Sequence, residues 1–93
     1  MTNSFGAYLR EMREQKGLPL RKVAAQLDID TSILSKIERD ERNATVEMLQ
    51  IFSKVLERNE KEVQTKFLVF SIKQNYGELP FLKDGLNAII KTL

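Results

Sequence analysis

The segment of residues 17–38, GLPLRKVAAQLDIDTSILSKIE, constrains the fold of this chain more than any other. Its apolar residues recur at intervals of three and four, which is typical of amphipathic helices. The three residues Asp28-Ile29-Asp30 interrupt that pattern, and Ile29 can fill the space between two helices. The pattern therefore predicts two short helices, over about residues 20–27 and 31–39, joined by a tight turn.

The residues at the ends of these helices agree with the prediction. Pro19 precedes the first helix, where the N–H that proline lacks would have no helical partner in any case. Asp30 can cap the second helix by accepting a hydrogen bond from the Ser32 or Ile33 amide. Both helix starts are therefore specified locally.

A further helix is predicted before this pair. Phe5, Leu9 and Met12 are spaced to share one helical face. Ser4 can cap the start of this helix, and Gly17 can end it in the left-handed conformation that glycine tolerates.

Two longer helices are predicted after the pair. Thr45 can cap the first of them, and Asn59 can cap the second, with Glu62 completing a capping box. The second runs to Tyr76, but its centre, FLVFSI at residues 67–72, is apolar on nearly every side and could also be a buried strand. The capping box and the flanking Lys and Gln residues favour a helix.

A short sixth helix is predicted after the break at residues 77–80. Leu82, Leu86, Ile89 and Leu93 have the spacing of one helical face. The predicted fold is all-α: a compact bundle of five helices plus a short C-terminal helix, within a single domain.

The composition excludes several classes of function. The 93 residues include no cysteine and no histidine, which excludes disulfides, thiolate or imidazole zinc sites and histidine catalysis. Glycine-rich phosphate loops and nucleophile–base sets are also missing, so we predict no enzyme activity, no cofactor and no metal. The N-terminus has no hydrophobic signal core and no apolar run reaches membrane-spanning length, so a cytoplasmic protein without membrane contact is expected.

The net charge of +2 is only a weak indication of a nucleic-acid partner. Residues 1–58 hold ten Lys and Arg against nine Asp and Glu. The positions of the charges, rather than their sum, must support any such prediction.

The pattern as a whole resembles the lambda-repressor-like (Cro-type, XRE) helix-turn-helix family. The segments LREMREQKGL, KVAAQLDID and SILSKIERD match that family in register, within roughly residues 5–66. The matching positions are Leu9, Arg13, Gly17, Leu18, Val23, Ala24, Leu27, Ile29, Ser32, Leu34, Ser35, Ile37, Glu38 and Leu49. The resemblance implies a bundle that inserts its third helix, residues 31–39, into the major groove of double-stranded DNA.

By this resemblance, the exposed face at the start of the third helix reads base edges. The candidates are Thr31, Ser32, Ile33, Ser35 and Lys36. Lys36 can donate to guanine O6 and N7, and the serines can donate or accept. Ile33 suits a thymine methyl group, although ordinary packing against the second helix is an equal alternative.

The resemblance also implies phosphate contacts and one structural ion pair. The phosphate candidates are Arg39, Arg42, Thr45, and Arg21 or Lys22. Arg13 and Glu38 would pair between the first and third helices.

The chain departs from the family pattern at several positions. Pro19 and Leu20 replace a common Thr/Ser-Gln, Asp40 replaces a glycine and Ala44 replaces a proline. With Asp40 and Glu41 near the expected DNA backbone, we expect modest affinity, offset in part by Arg39 and Arg42.

The C-terminal helices carry more apolar side chains than one face can cover. We assign residues 1–58 to the DNA-binding core and 59–93 to helices that complete the core and support a homodimer. The predicted interface consists of Phe67, Phe70, Ile72, Tyr76, Phe81, Leu82, Leu86 and Ile89. A dimer predicts an inverted-repeat operator, although the last helix could pack on its own chain or on its partner.

The leading hypothesis is a sequence-specific transcriptional regulator, most simply a homodimeric repressor. Compact phage or plasmid-type repressors and restriction–modification controllers are the most similar family members. One alternative is the antitoxin of a toxin–antitoxin pair, with the C-terminal segment binding the toxin. Another is a protein-interaction module on the same fold that has lost DNA binding.

Overall fold

The computed structural model describes residues 4–93, which form six helices and, within that range, no strand. The helices are α1 (Phe5–Gln15), α2 (Leu20–Leu27), α3 (Thr31–Glu38), α4 (Val46–Val55), α5 (Glu60–Tyr76) and α6 (Leu82–Thr92). The all-α prediction is confirmed, and residues 67–72 are helical rather than a strand. No helix in the described part of the chain is long and apolar enough to cross a membrane.

The helix starts agree with the sequence in position but only partly in hydrogen bonding. Ser4 Oγ accepts from the Ala7 amide at 3.0 Å, and Asn59 Oδ1 accepts from the Lys61 amide at 2.8 Å. Asp30 and Thr45 occupy the N-cap positions of α3 and α4, but their side chains make no capping hydrogen bond. The expected side-chain caps at these two positions are therefore wrong, since an extended backbone at the N-cap orients the chain without requiring that bond.

Four helices end with the same pair of backbone hydrogen bonds. At the end of α3, for example, the Asp40 amide donates to the Ile37 carbonyl and the Glu41 amide to the Lys36 carbonyl. This closure requires a left-handed residue just after the helix. Gly17 fills that position after α1, but Asp28, Asp40 and Glu57 fill it after α2, α3 and α4, with φ angles of 56°, 62° and 53°. These three L-residues adopt a conformation that only glycine adopts without strain.

The core lies between α1, α2, α3, α4 and the first half of α5. Its largest fully buried side chains are Phe52, Leu9, Leu34, Ile37, Leu56, Val23 and Val63. Phe5 lies at the centre of an aromatic group, with its ring edge-on to Phe67 at 5.4 Å and to Phe52 at 6.5 Å between centroids. Small Ala24 is buried where α2 packs against its neighbours.

A polar cluster joins α1 to the start of α5. Arg58 donates to both oxygens of Glu62, from Nε at 2.9 Å and Nη2 at 2.8 Å, and the Tyr8 hydroxyl donates to Glu62 Oε2. Hydrogen bonds from Arg58 and Tyr8 lower the pKa of Glu62 to about 2, while burial and the adjacent carboxylate raise the pKa of Tyr8 to about 12. Glu62 therefore links two helices through its side chain.

Candidate nucleic-acid interface

The turn between α2 and α3 is short and is closed by backbone contacts. The Asp28 and Ile29 amides donate to the carbonyls of Ala25 and Ala24, which ends α2 tightly. Ile29 is half-buried and packs against the core, as the sequence predicts. The turn thus holds α3 at a defined angle to α2.

Two faces of α3 have opposite environments. Leu34 and Ile37 are fully buried in the core. Thr31, Ser32 and Lys36 are exposed on the outer side of the same helix. This division leaves polar and basic groups available to an external partner.

A nearly buried ion pair fixes α3 to α1. Arg13 donates from Nε to Glu38 Oε2 at 2.8 Å and from Nη2 to Glu38 Oε1 at 3.1 Å, and its Nη1 donates to the Leu18 carbonyl at 2.8 Å. The side chains of Arg13 and Glu38 are only 11% and 5% exposed. The hydrogen bond to Glu38 raises the pKa of Arg13. This pair sets the orientation of the helix whose outer face is exposed.

Two of the five candidate base-reading residues are less accessible than the others. Ser35 is half-buried and its hydroxyl accepts from Arg39 Nη1 at 2.5 Å. Ile33 is half-buried and packs against the core, so a large part of its side chain serves packing. Thr31, Ser32 and Lys36 are the most accessible members of the set.

The candidate phosphate-binding residues are all on the surface but differ in their contacts. Arg21, Arg42 and Thr45 are exposed. Lys22 is also exposed and lines a shallow groove with Lys54 between α2 and the end of α4. Arg39 is half-exposed and forms an ion pair with Glu41, with Nε and Oε2 separated by 2.9 Å.

Asp40 contacts α1, which the sequence did not predict. Its Oδ1 accepts from the Gly6 amide at 3.0 Å, so its carboxylate lies at the positive N-terminal end of α1. The two segments approach so closely that a Cβ at Gly6 would lie 2.3 Å from the Ile37 carbonyl oxygen. This contact fixes the position of the Asp40 carboxylate beside α1, while its expected repulsion of the DNA backbone stays a prediction.

Two contacts in this region were missed in the sequence analysis. One joins Asp40 to Gly6, and the other joins Arg39 to Glu41 and Ser35. The contact between Asp40 and Gly6 has no local pattern in the sequence, since its partners are 34 positions apart. The Arg-x-Glu spacing of the second contact is visible in the sequence, but it indicates a contact only once α3 is known to end just before Arg39 and Asp40 is known to be left-handed. No group of three or more potential metal ligands occurs among residues 4–93.

Comparison with known proteins identifies the family. A family model described as helix-turn-helix matches residues 9–63, more than half of the chain. A search of curated proteins found no match, and a search of solved structures found none either. The matched range covers α2, the turn and α3, where the exposed polar face lies. The chain belongs to the lambda-repressor-like (XRE) helix-turn-helix family of DNA-binding regulators.

Proposed function

We propose that the protein is a sequence-specific repressor that reads double-stranded DNA with the outer face of α3. The observation that carries this proposal is the division of α3 into two faces. Arg13 holds Glu38 on the inner side, while Thr31, Ser32 and Lys36 stay exposed on the outer side. Preorganised polar side chains on a rigid helix are what reading base edges in the major groove requires.

In this proposal, base contacts and phosphate contacts come from different residues. Lys36 donates to guanine, and Thr31 and Ser32 offer hydroxyls to base edges. Arg21 or Lys22, Arg42 and Thr45 hold the sugar–phosphate backbone on either side. Ser35, Ile33 and Arg39 complete the proposed surface, although each already has a contact within the chain.

We also propose that two copies act together, because the chain exposes more surface than a compact monomer. Its accessible area is 6826 Å², against about 5500 Å² for a compact protein of this mass. Its radius of gyration is 14.4 Å, against about 12 Å for a compact chain of this length. The excess, about 1300 Å², is larger than the roughly 800 Å² per partner of a standard interface and lies in the range of obligate dimer interfaces.

The excess apolar area is concentrated at the C-terminal end. We call the exposed or half-exposed residues Ile72, Tyr76, Leu79, Phe81, Leu82, Leu86 and Ile89 the C-terminal apolar surface; they line one groove together with Pro80 and Gly85. No residue of α6 is buried. Phe67 and Phe70, which the sequence also assigns to the interface, are half-buried against the core of their own chain. We therefore assign the dimer interface mainly to the C-terminal apolar surface.

Selection of DNA from a random duplex pool, combined with sedimentation of the protein alone, tests both proposals. We expect an inverted repeat with half-sites about one helical turn apart, and a dimer in solution. If the protein is a repressor, it should lower transcription from a promoter that carries the selected site. We propose that it acts in the cytoplasm, because a repressor has to reach chromosomal DNA.

Three results would contradict parts of this proposal. Recovery of no sequence motif would contradict sequence-specific binding. A single half-site bound by a monomer would contradict the dimer and would direct attention to a different protein, such as a toxin, as the occupant of the C-terminal apolar surface. Activation of the test promoter would replace the repressor role with that of an activator.

A further inference from the structure

An exposed ion pair lies at the end of α3 and joins two residues of the same chain. Arg39, the residue that follows α3, holds the Glu41 carboxylate with two parallel hydrogen bonds, from Nε to Oε2 at 2.9 Å and from Nη2 to Oε1 at 3.3 Å. Its remaining terminal nitrogen, Nη1, donates to Ser35 Oγ at 2.5 Å. Three of the five N–H groups of the guanidinium group therefore donate within the chain.

The backbone places Glu41 at this position. The Asp40 residue in the left-handed conformation reverses the chain, and the Glu41 amide then donates to the Lys36 carbonyl at 2.8 Å. This brings the carboxylate of Glu41 back beside α3, next to Arg39 and within the electrostatic influence of Lys36. The hydrogen bond from Arg39, and to a smaller extent the charge of Lys36, lowers the pKa of Glu41.

A DNA phosphate offers Arg39 the same kind of acceptor as this carboxylate. Both are anions with two or more oxygens that suit the planar fork of a guanidinium group. Arg39 cannot place the same N–H groups on both acceptors at once. An anion that stays beside Arg39 also cancels most of the charge that Arg39 would bring to the DNA backbone.

We infer that Glu41 is an internal competitor of the DNA phosphate for Arg39, and that it lowers the sequence-independent part of the affinity for DNA. The inference rests on the proposed function, in which the outer face of α3 meets DNA. Binding requires Arg39 to exchange Glu41 for a phosphate, or to remain paired and contribute little. In both cases Glu41 weakens binding to every sequence equally, because phosphate contacts carry no base information.

The test compares Glu41→Gln with a matched variant in the full-length protein. Glu14→Gln removes the same charge from another exposed Arg–Glu pair, in which Arg10 Nε lies 3.2 Å from Glu14 Oε2 on α1. The probes are the duplex selected from the random pool and a duplex of random sequence. Affinity for each is titrated over a range of salt concentrations, after thermal unfolding has shown that both variants fold.

We expect Glu41→Gln to bind both duplexes roughly five- to tenfold more tightly near 0.1 M salt. The salt slope should steepen by about 0.9, the contribution of one additional phosphate contact, if Arg39 remains paired with Glu41 in the wild-type complex, and should stay the same if Arg39 exchanges Glu41 for a phosphate. The ratio of the two affinities should stay the same. Glu14→Gln should match the wild type in affinity and slope.

The possible outcomes separate this inference from the proposed function. If the wild type binds the selected duplex and the two variants behave alike, Glu41 is no competitor, while the proposed function stands. If Glu41→Gln weakens only the selected duplex, Glu41 instead orients Arg39 toward a base, and the inference is overturned. If neither the wild type nor the variants bind any DNA, the proposed function fails and the inference fails with it.

Discussion

The second half of α5 carries more apolar side chains than the first, yet it is the first half that is better buried. In the first half, Val63 is fully buried and Phe67 packs edge-on against Phe5. In the second half, Val69 and Tyr76 are 51% and 54% exposed.

The first half of α5 packs against α1 and α4 and includes the fully buried Val63. In the second half Phe70 still packs against the core, but no side chain is fully buried. Apolar content therefore states how much surface needs a partner, but the positions of the neighbouring helices decide how much of it is covered within the same chain.

Four predictions compare residues in different environments, and the first two test the contrast between the packed core and the C-terminal apolar surface. Changes in the core should lower stability at every protein concentration. Changes in the C-terminal apolar surface should act through self-association, so their effect should depend on concentration.

The largest effect is expected for Glu38→Gln. It leaves the Arg13 guanidinium nearly buried without its carboxylate, and loss of one partner of a buried pair costs about 3–5 kcal/mol. Denaturant unfolding at two protein concentrations should give the same loss. Glu14→Gln, in the exposed Arg10–Glu14 pair, should change stability by less than about 1 kcal/mol. Equal losses for the two variants would show that the Arg13–Glu38 pair is effectively solvated.

A pair of leucines tests the two regions directly. Leu56 is 1% exposed in the core, so Leu56→Ala should cost about 2–5 kcal/mol at any protein concentration. Leu86 on α6 is half-exposed in the single chain, so Leu86→Ala should cost less than about 1 kcal/mol in dilute solution, as changes at the surface do. Its effect should grow at concentrations where the dimer forms, as unfolding and sedimentation would measure. A large loss in dilute solution would show that α6 is stabilised within its own chain.

The next prediction concerns the contribution of the exposed face of α3 to DNA binding. Lys36→Ala should weaken binding to the selected duplex by about 1–3 kcal/mol and leave binding to random DNA nearly unchanged. The comparison variant is Arg42→Ala, which should weaken binding to all sequences and reduce the salt slope by about one. Titrations on both duplexes distinguish the two roles. Equal losses for Lys36→Ala on both duplexes would place Lys36 among the phosphate contacts.

The smallest effect is expected where helices end in left-handed residues. Glu57→Gly should be more stable than Glu57→Ala by about 1 kcal/mol, since glycine removes the left-handed strain and both variants lose the Lys16 ion pair. Asp40→Gly should not gain in this way, because it leaves the Gly6 amide without its acceptor, at a cost of about 1–3 kcal/mol. Thermal unfolding of the three variants measures the difference. If Asp40→Gly and Glu57→Gly were equally stable relative to the wild type, the contact with Gly6 would contribute nothing.

The sequence predicted the elements of the fold well, because they depend on local patterns. The apolar spacing and end residues of α2 placed it at the residues observed, and the prediction for α3 was one residue too long. The strand alternative for residues 67–72 remained open because an element that is apolar on every side has no periodicity to distinguish helix from strand. The structure resolves it, since these residues continue the helix that Asn59 caps.

The contacts around the candidate site were harder to predict because they join distant residues or depend on a helix end. Arg13 and Glu38 were paired only through the family resemblance. The contact between Asp40 and Gly6 had no such support, since Asp40 stands where the family pattern has glycine. The base-reading and phosphate-binding assignments remain predictions, because neither the sequence nor the structure of the protein alone shows which exposed side chains contact DNA.

The close approach of Gly6 to the end of α3 limits how the DNA preference of this protein could be re-engineered. Replacing the whole third helix with that of another family member would also replace residues 37–40, whose carbonyls and carboxylate leave no room for a side chain at residue 6. A transplant restricted to residues 31–36 would change most of the exposed side chains of α3 and keep the packing of residues 37–40 against α1. Swaps that extend past residue 36 should be made together with the donor's own first helix.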